Sequence, residues 1–395
     1  MDIPQTTTKT DEVESYNSWE ELTNDVALLR GIYSYGFETP SPIQSKGIRP
    51  ILDGHDVLAQ AQSGTGKTGC FAIGCLGRIN TDEQTIQAMI LAPTRELASQ
   101  IKTVLDALGS QNKFLRTQLL IGGTSTENDA KRLHNDTPHV VIGCPGRIYD
   151  MLRRNRFHAD KLKLMALDEA DEMLSQGFKE QIYNIFQYLP QNIQVLLFSA
   201  TMPTALHSLT EKFMRDPVKI LVKAEQLTLE GIQQYYVAVE NDDQKYETLK
   251  DLYTMLSISQ CIIYCNSVRR VQDLYDAMCQ DDFTVCQIHS GMDKAERAQA
   301  FKDFSSGKSR VLISSNVTAR GIDIQQVSIV INFDIPKCIH TYLHRIGRSG
   351  RWGRKGKAIN FITQRDTKKM RELESYYHTN IVELPMNVVD EATTR

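Results

Sequence analysis

The sequence has no apolar run long enough to cross a membrane. Ala88 to Ala92 and Val195 to Phe198 are typical of its longest apolar stretches, where a spanning helix needs about 20 such residues. Its start, Met1 to Ser15, is polar and acidic, so no secretory signal is expected. Cysteine is sparse: the eight are Cys70, Cys75, Cys144, Cys261, Cys265, Cys279, Cys286 and Cys338. None stand with two residues between them, which excludes a dithiol or zinc spacing, and eight in 395 is no disulfide framework. Most lie in apolar runs and read as inert core thiols of a reducing compartment. With 23 Gly and 12 Pro, collagen-like and linker-like chains are out. A charge excess is missing too. Net charge is −3, and residues 1–222 hold 22 Lys and Arg against 26 Asp and Glu, the rest 23 against 22. Composition alone therefore gives no hint of a nucleic-acid partner. One window differs: Arg345 to Arg371 carries ten Lys or Arg and one Asp, which by itself reads as a solvated helix face.

What remains is ordinary globular protein, 41% hydrophobic and 24% charged, and 395 residues suffice for two or three domains. Short β-branched or apolar runs recur at 56–59, 88–91, 118–121, 139–142, 162–167, 195–198 and 219–222, then at 235–239, 261–264, 283–288, 310–314, 327–332 and 357–362. Near-continuous apolar runs indicate strands buried on both faces. Helical stripes lie between them: Leu97, Ile101, Val104, Leu105 and Leu108, with Gly109 expected as a left-handed stop, then Val268, Val271, Leu274, Tyr275 and Met278. Asp293 and Glu296 form a capping-box start. Strand and helix in alternation give an α/β fold of mostly parallel sheets flanked by helices. The polar stretch 223–231 is the linker candidate, dividing domains 1–222 and 232–395.

Asp56 to Gln60 precedes Ala61-Gln-Ser-Gly-Thr-Gly-Lys-Thr68 and an apolar helix follows. In such a strand, loop and helix, Gln62, Ser63, Gly64, Thr65 and Gly66 curl backbone N–H groups around a phosphate at a helix N-terminus. Lys67 would reach the β and γ phosphates and Thr68 would offer its hydroxyl to Mg²⁺. Ala61 stands where the general pattern has Gly. About 100 residues on, Leu164 to Leu167 runs into Asp168-Glu-Ala-Asp171. Ligands of parallel sheets bind beyond the carboxyl ends of strands. Asp168 there could hold Mg²⁺, partly through water, and Glu169 could deprotonate the attacking water. Two acids at a strand end can equally be a helix N-terminal charge cluster.

These two motifs together resemble the DEAD-box RNA helicases. Further segments are similar to that family's motifs: Gly36 to Gln44 with upstream Trp19, Pro93-Thr-Arg-Glu-Leu97, Gly122-Gly123, Pro145-Gly-Arg147, Ser199-Ala-Thr201, Ile262 to Asn266, Ala319-Arg-Gly-Ile-Asp323 and His344-Arg-Ile-Gly-Arg-Ser-Gly-Arg351. The resemblance spans almost the whole chain. It implies two tandem RecA-like domains that use ATP and Mg²⁺ and bind single-stranded or short duplex RNA without regard to sequence. Segment 220–232 resembles the initiation-factor-4A branch, whose exon-junction and ribosome-biogenesis paralogues share much of it. That branch implies a HEAT-repeat scaffold of the initiation-factor-4G type as partner, a monomer, and a cytoplasmic place, or a nuclear one for a paralogue.

Residue by residue, the resemblance implies that Phe37 and Trp19 serve the base and that Gln44 reads adenine, its amide donating and accepting at once. Gly321 and Asp323 would lie on the nucleotide side of the second domain. Arg348 and Arg351 would be arginine fingers reaching the γ-phosphate. Asp171, Ser199, Thr201, His344 and Arg345 would couple ATP turnover to RNA. Thr94, Arg95, Gly123, Gly146 and Arg147 in one domain, and Arg269, Arg297 and Ser315 in the other, would grip the RNA backbone. Three departures from the family pattern stand out: Cys144 for a usual Thr, Asn316 for a usual Asp, and Trp352 for a common Phe. The lost hydroxyl and carboxylate bear on RNA contact and coupling, not on the hydrolytic core. Two other functions fit the same features: an ATP-dependent RNA clamp of a larger assembly, and a P-loop ATPase or GTPase acting on protein, which Phe37, Gln44 and the second-domain motifs disfavour.

Overall fold

Four-residue apolar runs make short central strands, and fourteen strands in two sheets are found in the computed structural model, which describes residues 13–61, 64–175, 177–221, 232–255, 260–316, 327–349 and 356–385. The first sheet contains β1 (Val57–Gln60), β2 (Ala88–Leu91), β3 (Thr117–Leu120), β4 (Val140–Gly143), β5 (Leu164–Leu167), β6 (Gln194–Ser199) and β7 (Val218–Leu221), in the order β3-β4-β2-β5-β6-β1-β7. The second contains β8 (Ile232–Ala238), β9 (Cys261–Tyr264), β10 (Val285–Ile288), β11 (Val311–Ser314), β12 (Ile329–Asn332), β13 (Gly356–Ile362) and β14 (Val382–Glu383), in the order β10-β11-β9-β12-β13-β8-β14. Every pairing between them is parallel. Parallel pairing requires crossovers, and helices supply them on both faces.

Each sheet buries two hydrophobic faces. In the first lobe, Ile90, Ile142, Ala166 and Phe198 pack on one side, Met89, Val141, Met165 and Leu197 on the other. That alternation within continuous apolar runs explains why the strands read as unbroken rather than amphipathic. In the second lobe, Ile263, Ile313 and Ile331 face one cluster and Ile262, Leu312 and Val330 the other.

Two local expectations are corrected. Gly109 follows helix Arg95–Leu108, but its φ is −86°, so it is not a left-handed stop. Glycine is there for space: a Cβ would stand 2.2 Å from Leu115 Cδ2. The strand Val382–Glu383 went unforeseen, because two exposed residues carry no periodic signal. The capping box at Asp293 and Glu296 is present, with Glu296 N donating to Asp293 Oδ1 at 2.8 Å. The expected linker, 223–231, lies outside the described residues.

Candidate nucleotide and RNA cleft

The carboxyl ends of three neighbouring strands, β5, β6 and β1, build the first lobe's half of the site. The loop after β1 runs into helix Lys67–Arg78, with Gly64 at φ 84° and Gly66 at φ 99°. Both are left-handed, and Gly66 N-caps the helix without a side chain, leaving its first N–H groups open. Close approach makes the second demand on glycine: a Cβ at Gly66 would stand 2.6 Å from Ser41 Oγ and 2.8 Å from Gln44 Nε2. Gln44 is buried, its Oε1 accepting from Ser41 N at 2.8 Å and its Nε2 donating to Gly66 O at 3.2 Å. Phe37 stacks on buried Trp19, ring centres 6.0 Å apart, and Tyr35 meets it edge-on. The segment carrying Phe37 and Gln44 thus folds against the phosphate loop itself. Gln62 and Ser63 lie outside the described residues; Thr65 and Thr68 are half-buried beside the open helix end.

Lys67 is 5% exposed, and its Nζ donates to Glu169 Oε1 at 3.1 Å. Glu169 follows β5 with φ 52°, a conformation uncommon for a residue with a side chain, and Asp168 Oδ1 accepts from its backbone N–H at 3.0 Å. Burial, followed by the negative charge of Glu169, pushes the Asp168 carboxyl up to about 7 despite the opposing Lys67 ammonium. Crowded buried carboxylates call for added positive charge, so this donor set, with the Thr68 hydroxyl, suits a hard divalent cation. Thr201 Oγ1 donates to Asp171 Oδ2 at 2.6 Å, and Ser199 Oγ donates to the Thr201 carbonyl at 2.7 Å.

The second lobe reaches this cluster. His344, on helix Ile339–Ile346, has Nε2 3.4 Å from Asp171 Oδ2 and Nδ1 4.0 Å from Glu169 Oε2. Ligand atoms of Glu169, Asp171 and His344 lie within 4.8 Å of one another. Arg345 is fully buried: Nε and Nη2 donate to Asn316 Oδ1 at 3.0 and 2.7 Å, Nη2 to Asn266 Oδ1 at 2.8 Å, and Nη1 to Asp334 O at 2.7 Å and Asn332 Oδ1 at 3.2 Å. It therefore bridges the ends of β9, β11 and β12. Arg348 is 3% exposed, with Nε donating to the His344 carbonyl at 3.2 Å. Gly321, Asp323 and Arg351 lie outside the described residues.

The RNA candidates fall into distinct environments. Thr94 N-caps its helix, accepting from Leu97 N. Arg95 packs over Gly123, where a Cβ would meet its Nη1 at 2.9 Å. Gly146 is exposed with open space above it. Arg147 is instead tied inward, donating to Thr124 Oγ1 and Thr124 O at 2.9 Å each and pairing with Asp129. Arg269 is a largely exposed side chain. Arg297 Nη1 lies 3.5 Å from Glu96 Oε1 of the first lobe. Ser315 N donates to Ile288 O at 3.4 Å at the end of β11. Cys144 caps helix Pro145–Arg153 without a side-chain hydrogen bond, and burial pushes its thiol up to about 12. Sequence reasoning passed over Glu96, Asp129, Asn332 and Asp334, polar residues in stretches without a motif; only their tertiary partners single them out.

The model of the DEAD/DEAH box helicases matches residues 41–209, and that of the helicase conserved C-terminal domain matches 244–353. The chain is 53% identical over 389 residues to proteins named ATP-dependent RNA helicase eIF4A from Pyricularia oryzae and Neurospora crassa, with 98% of this chain and 98% of each relative covered. It is also similar to the solved structure of S. cerevisiae Dbp5 bound to RNA and ADP BeF3, with a TM-score of 0.89 and 34% identity over 95% of this chain and 97% of that one. With paired parallel sheets, a glycine loop facing Asp168-Glu-Ala-Asp171 and an arginine-bearing helix from the second lobe, the chain belongs to the DEAD-box helicase family.

Proposed function

We propose that this chain is an ATP-dependent RNA helicase whose ATP hydrolysis is stimulated by RNA, and which separates short duplexes locally during translation initiation. The observation that carries the reading is the meeting of lobes: His344 of the second stands 3.4 Å from Asp171 of the first, beside the Lys67–Glu169 pair. A site divided this way turns over only when both lobes close on it. Its relatives' shared name, ATP-dependent RNA helicase eIF4A, supports the initiation role. The lobes of the proposal are 1–222 and 232–395, working as a monomer in the cytoplasm with a HEAT-repeat scaffold of the initiation-factor-4G type.

Backbone N–H groups at Gly64, Thr65 and Gly66 cradle the phosphates at the helix end. Lys67 exchanges Glu169 for the β and γ phosphates, which frees the Glu169 carboxylate to take a proton from the attacking water. Mg²⁺ held by Thr68 and, partly through water, by Asp168 neutralises phosphate charge. Arg348 and Arg351 enter from the second lobe to stabilise charge on the transferring phosphoryl group. Phe37 stacks on adenine and Gln44 reads its edge, with Trp19 behind Phe37. Asp323 and Gly321 complete the ribose side. Thr201, Ser199, Asp171, His344 and Arg345 link the phosphates to the RNA path. Thr94, Arg95, Gly123, Gly146, Arg147, Arg269, Arg297 and Ser315 hold the RNA backbone, so binding is salt-sensitive and indifferent to base sequence.

The test is ATP turnover with and without single-stranded RNA, beside release of a short duplex. Turnover rises on adding RNA, and ATP and RNA each tighten the other's binding by the same factor. A rate indifferent to RNA would sink the scheme.

A further inference from the structure

Arg345 is a buried cation held by amides. Among the described residues, its hydrogen-bond acceptors are the side-chain oxygens of Asn266, Asn316 and Asn332 and the carbonyl of Asp334. Its guanidinium also lies over the Tyr264 ring, 5.1 Å from the centroid. The Asp334 carboxylate is already taken by Lys245 Nζ, Arg270 and Asn266 N. One amide does not end at the arginine. Asn332 Nδ2 donates to Asn360 Oδ1 at 2.8 Å, across the β12–β13 register that makes them partners. Asn360 Nδ2 donates to Tyr342 Oη at 3.2 Å and to Tyr235 O at 2.9 Å. Tyr342 Oη donates to Gln234 Oε1 at 2.9 Å, and Gln234 Nε2 donates to Thr379 Oγ1 at 2.9 Å. Asn332, Tyr342 and Asn360 are fully buried and Gln234 is 5% exposed.

We infer that Asn332, Asn360 and Tyr342 are positioning residues that fix Arg345, and through its helix His344 and Arg348, for ATP turnover. The inference rests on the function proposed above. Its physical basis is direction. A guanidinium only donates, so Asn332 must turn its oxygen toward Arg345 and its NH₂ toward Asn360. That choice fixes the Asn360 amide, then the Tyr342 hydroxyl, then the Gln234 amide. Turning any one of them sets like atoms face to face in a buried, weakly polar medium, where such a mismatch is costly. The chain therefore permits one arrangement of Arg345. It runs from the cleft through three strands of the second sheet to Thr379, which is half-buried just beyond helix Thr367–Tyr377.

Tyr342→Phe removes one hydroxyl two links from Arg345 and leaves Asn360 Nδ2 with the Tyr235 carbonyl. In the full-length protein with RNA, its kcat falls by about threefold to tenfold, the worth of one buried hydrogen bond, while KM for ATP stays within about twofold. Asn332→Leu, which strips an acceptor from the guanidinium, lowers kcat by about thirtyfold or more. Asn332→Asp, which keeps an acceptor there, recovers most of that loss. Urea unfolding on the same samples corrects each rate for folded protein. Independently of turnover, ¹⁵N-arginine NMR reads the site. Arg345 gives slowly exchanging guanidinium signals, assigned by their loss in Arg345→Lys, and Tyr342→Phe shifts them and speeds their exchange. A kcat per folded molecule equal to wild type in Tyr342→Phe, or Arg345 signals unmoved by it, overturns the inference. Wild-type turnover indifferent to RNA instead overturns the proposed function, and the NMR signals then decide the positioning role alone.

Discussion

Lys67 in the first lobe and Arg345 in the second are both buried cations, and they are held in opposite ways. Lys67 stands against a carboxylate, Glu169, at 3.1 Å. Arg345 is surrounded by amide and carbonyl oxygens. Burial pushes its guanidinium down to about 10, which still leaves it charged at neutral pH. An ion pair is exchangeable: an arriving phosphate replaces Glu169 on Lys67 without leaving the ammonium bare, and the released carboxylate becomes available as a base. An amide shell fixes direction without cancelling charge, which suits a residue that anchors rather than moves. The first lobe is built to trade partners and the second to hold a pose.

The contrast is broken most directly at Arg348, the second lobe's described finger. Arg348→Ala is expected to lower RNA-stimulated turnover by about 10³-fold or more, the range of other arginine fingers, with ATP binding largely kept. Single-turnover hydrolysis measures it, and an intact rate would leave the first lobe self-sufficient. Next comes the freed base: Glu169→Gln lowers turnover by about 10²- to 10⁴-fold while ATP and RNA stay bound. Steady-state ATPase beside nucleotide binding checks both halves of that statement.

Lys67→Ala sharpens the comparison through stability. It leaves the Glu169 carboxylate buried without its ammonium, a loss worth about 3 kcal/mol in the nucleotide-free protein, and it weakens nucleotide binding. Urea unfolding monitored at Trp19, buried in the first lobe, reports the first effect. The smallest change expected is a gain. Asn316→Asp gives Arg345 a charged acceptor in place of a neutral one, and the second lobe is stabilised by about 1 kcal/mol. An unchanged second-lobe midpoint would mean that the amide already serves the guanidinium as well as a carboxylate.

The motif loops were legible because each is a contiguous segment whose chemistry needs few neighbours. Gly64 and Gly66 adopt the left-handed turns that their place before Lys67 demands. The strands were legible because residues buried on both faces leave unbroken apolar runs, as at Ala88–Leu91 and Cys261–Tyr264. Arg147 shows the limit. Its motif suggested a residue facing RNA, yet its guanidinium is bound to Thr124 and Asp129, which lie in a polar helix and its approach. Arg297 was read for RNA alone, while the structure sets it against Glu96 across the cleft. The departure at Asn316 could be seen in the sequence, but not that its amide oxygen accepts two bonds from Arg345.

The sequence by itself determined the two-lobed α/β architecture, the phosphate loop, the acidic strand end and the family, because those depend on local periodicity and on residues adjacent in the chain. Tertiary structure alone decided which groups meet: His344 with Asp171 across the cleft, and Asn332 with Asn360 across two strands. Such meetings depend on strand register and on how two lobes close. Register is a sum of many weak packing preferences over distant residues, and no short segment of the chain contains it.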